Sequence, residues 1–443
     1  MPYTSLLERL GLHRRELRAW AFYDVANSAF MTTVLQIFPL YFVRVPASSL
    51  PDAVARSRFA LATSVGVIIV GVIGPLLGAV ADYRGNKKRL LAAFLAIGAS
   101  ATGAMYFISQ GHWVFALALF VVANVGITST LAFYNALLPS IAGPHEVDRV
   151  STAGFAMGYL GGGTLLGVNL WMISSPGTFG LPDANAAVRL AFLSVAVWWV
   201  LFSIPLFRRV PEPPVRLEAG EEAGMPVARV AVRRLERTLG ELRQHRDAAL
   251  LLVAFLVYND AINTIIRMAT TYGDEIGIGQ TQLLLTLLMV QFVGVPFAFA
   301  FGLLADRIGA RRAIFVALAV YSGISLYAFS LRTATQFFVL GFLVGTVQGG
   351  AQALARSLFA TLIPRHKAGE MFGIFGVFDR FGGAIGSFVF FVLLALTGSG
   401  RPAILTLVVF FALGALLLSR VDVERGRRQA RAAEAATRDA IER

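Results

Sequence analysis

GAVADYRGNKKR, from Gly78 to Arg89, and GLLADRIGARR, from Gly302 to Arg312, are two copies of one pattern, each at the end of a long apolar run. Both fit G-x-x-x-D-x-x-G-x-[KR]-[KR], so Gly78 aligns with Gly302, Asp82 with Asp306 and Gly85 with Gly309, each pair 224 positions apart. The basic positions are Lys87 and Lys88 in the first copy, Arg311 and Arg312 in the second. The pattern reads as a tight cationic turn between two helices, written once in each half of a duplicated chain. A carboxylate beside such a turn can accept hydrogen bonds from a neighbouring helix amino terminus, where the helix dipole favours negative charge.

Composition places both halves in a membrane. Of 443 residues 56% are hydrophobic and 15% charged, with mean hydropathy +0.68, which is too apolar for a soluble chain of this length. A bilayer core of ~30 Å takes about 20 apolar helical residues to cross. Twelve runs qualify, near 19–43, 59–81, 90–109, 113–138, 151–173, 187–207, 248–272, 280–304, 313–331, 335–362, 371–397 and 402–419. They divide into an amino-terminal bundle (19–207) and a carboxy-terminal one (248–419), flanked by an amino terminus (1–18) and a tail (420–443). The polar start, with Arg14, Arg15 and Arg18 running into the first span, is read as having no cleavable leader. There are no cysteines, so no disulfide or thiolate metal site is available.

The net charge of +13 is distributed by topology. With the amino terminus inside, 30 of the 39 Lys and Arg fall on inner segments, six on outer loops and three, Arg267, Arg356 and Arg380, within spans. That bias puts both termini in the cytoplasm. The expected partners of the positive charge are lipid headgroups, not nucleic acid.

The linker, 208–247, carries PEPPV, an acidic patch at Glu218, Glu221 and Glu222, and a stretch with Val232, Leu235, Leu239 and Leu242 at three- and four-residue spacing. It reads as an amphipathic helix on the inner membrane surface. The Arg- and Ala-rich tail is expected to be a frayed helix.

The duplication extends into the spans. Span 1 holds YDVANSAF, with Asp24 three residues before Asn27; span 7 holds YNDAINTI, with Asp260 three residues before Asn263. LPSIAGPHE ends at Glu146 and LIPRHKAGE at Glu370, again 224 apart. Glycines follow at Gly154, Gly158 and Gly162, and at Gly376, Gly382 and Gly386, a spacing that lets helix backbones approach closely in lipid.

Polar groups inside spans are where function is sought, since an ionisable side chain at the bilayer centre costs about 2.5–3.5 kcal/mol on insertion scales. Four spans carry them as stripes. Span 1 has Asp24, Asn27, Ser28 and Thr32; span 4 has Asn124, Thr128 and Asn135; span 7 has Asp260, Asn263 and Arg267; span 10 has Gln348, Gln352 and Arg356. These are every third span, the first of each three-helix unit.

The paired loops resemble the signature loops of the major facilitator superfamily of transporters, between helices 2 and 3 and between 8 and 9. AWAFYDVANSAFMTTVLQIFPLYF, STAGFAMGYLGGG and YNDAINTIIRMATTYGDEIG resemble, more narrowly, its Unknown Major Facilitator family, which includes the fungal autophagy-related vacuolar effluxers. The resemblance runs from Trp20 to about span 11. It implies an all-α fold of twelve transmembrane helices in two pseudo-symmetric six-helix bundles, a central path lined by spans 1, 4, 7 and 10, and gate latches at the two loops. It also implies amino-acid release.

Each site residue keeps two readings. Asp24 braces a neighbouring helix or binds a proton or a substrate amine. Asp260, nearer mid-membrane, is favoured as the group that takes up and releases a proton as the cavity alternates. Arg267 and Arg356 hold a substrate carboxylate bidentately or snorkel to a surface. Asp379 and Arg380 point about 100° apart and are expected, with Glu146 and Glu370, to pair across the domain interface.

Enzyme readings fail on motifs. Neither a G-x-x-x-x-G-K-[ST] phosphate loop nor a G-x-S-x-G elbow occurs, and the five histidines do not cluster, so no cofactor or metal is expected. The sequence therefore points to a monomeric secondary transporter of the bacterial inner membrane, exporting a small polar solute with protons by alternating access. A multidrug exporter, supported by 35 Phe, and a lipid flippase or non-transporting receptor are the alternatives.

Overall fold

The computed structural model describes residues 5–442 apart from 216–217, 219–220, 222–224, 243–244 and 276. Glu222 of the acidic patch lies outside these residues, as do the side chains of Leu239 and Leu242. The described residues form helices and short connections. Eleven helices are long and apolar enough to cross a membrane: Arg15–Arg44, Asp52–Arg84, Lys87–Phe107, Trp113–Ile141, Ala184–Arg209, Arg246–Ala269, Gln282–Ile308, Ala310–Phe329, Ala334–Leu362, Arg365–Thr397 and Arg401–Ser419. The twelfth span, counted fifth, is Val147–Ser174. Its glycines and polar residues lower its hydropathy for a reason visible in the packing. It lies between the bundles, against spans 1, 8 and 10, and meets protein on most sides. The architecture is the two-bundle, twelve-span major facilitator fold.

Several helix ends follow local chemistry. Gly85 closes span 2 with φ of 59°, the left-handed cap that glycine takes without penalty. Asp183 accepts from Ala186 N to start span 6, and Thr333 with Gln336 forms a capping box at span 10. Span 1 widens into a π-helical turn over Phe30–Val34, where the Thr32 hydroxyl donates to Ser28 O and Gly162 O.

Span 11 departs from the sequence reading. The single expected helix, 371–397, is two, Ala368–Phe381 and Ala384–Thr397, separated by Gly382 and a Gly383 with φ of 83°. Hydropathy averaged over the length of a span stays high across the break despite Asp379 and Arg380 beside it, so the average does not register it.

The bundles meet on the side that carries the linker, here called the linker side. Spans 2 and 11 cross there backbone to backbone: a Cβ at Gly373 would lie 2.8 Å from Gly74 O, and one at Gly369 2.6 Å from Gly78 O. Spans 5 and 8 pack along much of their length, with the Tyr159 ring seated against Gly294 and Gly349.

Two helices outside the spans have defined partners. The linker helix, Val227–Leu242, packs on span 2 with Val230, Ala231, Arg234 and Thr238 buried, while Val232 of the expected apolar stripe is exposed on another face. The tail is a helix, Val423–Glu442, whose Arg425 grips Asp247 of span 7 with Nε at 2.7 Å and Nη2 at 2.8 Å.

Candidate functional site

Span 10 carries Arg356 about 9 Å from its linker-side end, at 1.5 Å per residue, and span 1 carries Asp24 about 13 Å from its own. Both are buried, at 5% and 6% exposed. They form an ion pair between the bundles, Arg356 Nη1 lying 3.4 Å from Asp24 Oδ2. The guanidinium also donates to Ser151 Oγ at 2.9 Å, Ser151 O at 2.7 Å and Asn135 Oδ1 at 3.3 Å. One side chain of the second bundle thus reaches spans 1, 4 and 5 of the first.

Aromatic faces complete the cradle. The Arg356 Cζ lies 4.8 Å from the Trp20 ring centre, 4.7 Å from Phe155 and 5.6 Å from Tyr134, distances at which a cation is drawn to a ring face. Trp20 stacks on Tyr134 and donates its indole N–H to Tyr134 O. The same Asp24 Oδ2 accepts from the Tyr134 hydroxyl at 2.8 Å, and Asp24 Oδ1 accepts from Asn27 Nδ2 at 3.0 Å. Gly154 makes room: a Cβ there would lie 3.1 Å from Trp20 and from Arg356.

A second cluster sits in the carboxy-terminal bundle around the span 11 break, about 21 Å along span 7 by helix rise. Asp260 accepts from Ile385 N at 3.1 Å and Gly386 N at 2.6 Å, capping the second half of the broken helix. Asp379 accepts from Asn259 Nδ2, and Asn259 Oδ1 accepts from Gln352 Nε2, both at 3.0 Å. Asn263 Nδ2 lies 3.0 Å, and Asn259 Nδ2 2.9 Å, from where a Gly382 Cβ would be; the Arg267 guanidinium carbon is 3.5 Å from that position at Gly383. Gln352 and Arg356 are one turn apart on span 10, so the clusters adjoin.

Two sequence readings need correction, those of the Asp379 pairing and of Arg356 at a surface. Asp379 and Arg380 do not pair across the bundle interface; Asp379 is bound within its own bundle by Asn259. Thr128 is buried and turns its hydroxyl back to Asn124 O, while Asn124 donates to Phe120 O, so neither joins the Arg356 cluster that Asn135 reaches. Gln348 is set apart from both clusters, within reach of the Tyr159 hydroxyl between the bundles. Arg356 does not snorkel to a surface.

The repeated loops hold different partners. Asp82 pairs with Lys87 at 2.6 Å and accepts from Glu370 N at 3.0 Å, at the start of span 11. Asp306 instead pairs with Arg149 of span 5 at 3.1 Å. Lys88 donates to Val210 O and its backbone N–H to Glu212. Arg311 bonds Val421 O, and Arg312 is exposed beside it. The two glutamates are also held differently: Glu146 by Arg14, His13 and Gly143 N, Glu370 by Thr238 and Arg234 of the linker helix.

Sequence reasoning missed Trp20, Tyr134, Ser151, Phe155, Asn259 and Arg234. Ser151 opens the quoted STAGFAMGYLGGG, and Tyr134 and Asn259 each neighbour a residue already chosen, so only Arg234, in a linker with nine cations, lacked a local signal. Arg234 is buried at 1% and bonds Glu221 through Nε at 2.7 Å and Nη2 at 2.6 Å. Burial opposes its charge, but the carboxylates of Glu221, Glu370 and Glu218 outweigh that and hold its pKa above the ordinary arginine value. Burial likewise acts to raise Glu221, yet the Arg234 hydrogen bonds prevail and leave it below the usual carboxylate range.

Among the described residues, the hydrogen bonds and ion pairs between the bundles lie on the linker side or at mid-height. Ser357 Oγ donates to Asp148 Oδ1 at 2.5 Å, and Ser151 Oγ to Ala353 O at 2.7 Å, adding to the Arg356, Arg149 and Asp82 ties. The linker side is shut.

Residues 52–431 match the family described as vacuole effluxer Atg22 like. A Bacillus subtilis relative, the uncharacterized MFS-type transporter YxiO, is 33% identical over 93% of this chain and 95% of its own. Autophagy-related protein 22 of Yarrowia lipolytica is 27% identical over 64% of this chain; the match spans about half (51%) of that longer protein. The proton:xylose symporter XylE shares the fold with a TM-score of 0.68 at 14% identity, over 94% of this chain and 95% of its own.

Proposed function

Because the chain belongs to the Atg22-like vacuole effluxer family of the major facilitator superfamily, we propose that it exports a small polar solute, an amino acid, in exchange for protons. The linker side is the cytoplasm of a bacterial inner membrane, a placement supported by the 30-to-6 bias of Lys and Arg. The shut linker side then corresponds to the outward-facing state of a monomer held among anionic lipids.

One observation carries the reading. Arg356 is a buried cation that crosses between two bundles onto a buried carboxylate, Asp24, at 3.4 Å. Such a pair serves rigid packing poorly, because charges removed from water return little net stability. It serves a switch well. A proton on Asp24 removes the anion, loosens Arg356 from spans 1, 4 and 5, and lets the linker side part. Deprotonation rebuilds the tie and resets the outward-facing state. Asp260 is the second proton site; charging and discharging it changes how firmly the second half of span 11 is held. Asn27, Asn124, Thr128, Asn135, Asn263, Gln348 and Gln352 supply neutral polar lining, and Asp82 and Asp306 latch the loops.

Counterflow tests this. Proteoliposomes loaded with an unlabelled amino-acid mixture are given labelled amino acids outside, with empty vesicles and Asp24→Asn protein as controls. Accumulation in the wild type, abolished by a proton ionophore under an imposed pH gradient but retained in plain exchange, is the expected result. Absence of exchange from folded protein would remove the amino-acid reading.

A further inference from the structure

We propose that Arg380 and Arg267, at the break in span 11, form the subsite that binds the carboxylate of the transported solute. The proposal rests on the solute-carrier reading above and names the group recognised and where.

Four observations converge on the break. First, interruption at Gly382–Gly383 falls about 22 Å along span 11 by helix rise, deep in the membrane, where irregular backbone is tolerated only if it is buried in protein or lines a cavity. Second, the positive end of the new half-helix is already occupied, since Asp260 takes both Ile385 N and Gly386 N. An incoming anion must therefore find its donors elsewhere.

Third, the cluster holds two guanidinium groups and two carboxylates, but the carboxylates are spent on uncharged donors. Asp260 is committed to backbone N–H groups and Asp379 to the Asn259 amide. Among the described residues Arg380 keeps a buried Nη2 with no hydrogen-bond partner, and that is the costliest kind of polar atom to leave unmatched in a membrane interior. Fourth, Arg267 is exposed and its guanidinium carbon stands 3.5 Å from the Cβ position at Gly383, so a second fork of donors faces the same break. Arg380 stands two residues before Gly382 and its charge acts on that of Arg267, so both cations belong to the break, and a guanidinium gives a planar carboxylate parallel N–H···O bonds. The amides of Asn259 and Asn263, both within 3.0 Å of the Cβ position at Gly382, crowd the same point with further donors.

The route from this subsite to the gate is short. Gln352 bonds Asn259, and Arg356 follows one turn later on the same span. A ligand that draws on the Asn259 amide perturbs the register of span 10 that places Arg356 on Asp24.

Thermal stabilisation of the purified full-length protein tests the proposal. The probes are L-leucine and L-glutamine, their amides, the amines left by decarboxylation and the acids left by deamination. Binding is expected from every probe that retains its carboxylate and from none that lacks it. Arg380→Gln should weaken it by about tenfold to a hundredfold, and Arg267→Gln by a smaller factor. Arg380→Lys, which keeps the charge, controls for folding. Carboxylates that bind without an amine uphold the subsite even if amino acids themselves do not bind, which would overturn only the amino-acid reading. Amino acids that bind equally in wild type, Arg380→Gln and Arg267→Gln would overturn the subsite and leave that reading intact. Amines and amides that bind as well as acids would overturn it too, and no binding by any probe would overturn both.

Discussion

The strongest commitment any single side chain makes in this protein is that of Arg356. Removing one partner of a buried ion pair strands the other and costs about 3–5 kcal/mol. Arg356→Ala is therefore expected to lower the melting temperature sharply and to abolish counterflow. Asp24→Asn should be milder in stability, because the amide still accepts from Tyr134, yet equally inactive. The double substitution, read as a cycle, should recover part of the loss and so separate the pair from its surroundings. Asp260 makes a different prediction. Asn keeps one of the two acceptors that Ile385 N and Gly386 N use, whereas Ala forfeits the cap at about 0.5–2 kcal/mol. Asp260→Asn should lose proton-driven uptake with a smaller drop in melting temperature than Asp260→Ala, which forfeits both hydrogen bonds. The sequence exposed Asp24, Asp260, Arg267 and Arg356 because charge within an apolar run is conspicuous. It could not expose who binds whom, because Asp24 and Arg356 are 332 positions apart and their contact depends on how two bundles meet.

Helices and connections carry the next level of argument. Gly383 sits at φ of 83°, where a side chain costs about 1–2 kcal/mol, so Gly383→Ala should lower thermal stability without changing the helix content read by circular dichroism. The linker helix predicts a pH dependence. Glu221 has a depressed pKa in the folded protein, so its contribution to docking is complete above the unfolded value of about 4.3 and fades as pH falls through the lower folded value. The extra protection of the linker from limited proteolysis in wild type over Glu221→Gln should therefore be complete at neutral pH and disappear only as pH falls below about 4.3. Arg234→Ala should expose the same segment at neutral pH. Spans and loops were legible from hydropathy and from the repeated GAVADYRGNKKR pattern. The break in span 11 was not, since Gly382 and Gly383 look like the packing glycines around them. Nor was the docking face of the linker helix: the eye follows Val232 and Leu235, whereas the buried face is set by Arg234 and Thr238.

For the molecule as a whole, the expectation concerns which side is open. The chain lacks cysteine, so one introduced thiol reports alone. Ser28→Cys, one turn deeper than Asp24 on span 1, should resist a membrane-impermeant maleimide added on the linker side in the wild-type background. The same thiol should label several times faster when Asp24→Asn is added. Equal labelling in both would show that the Arg356–Asp24 pair does not hold the linker side shut. The two-bundle plan was evident from duplication alone; the closed linker side was not, because it rests on contacts between residues far apart in the chain.

Tyr159, wedged against Gly294 and Gly349 about 18 Å along span 5, has a mechanical consequence. A contact that persists near mid-height while the ends part acts as a fulcrum, and a fulcrum at mid-height gives the two ends levers of equal length. Any displacement at one mouth is then returned, equal and opposite, at the other. An antibody or macrocycle that props open the far mouth would need no contact with Arg356 or Asp82 to tighten both.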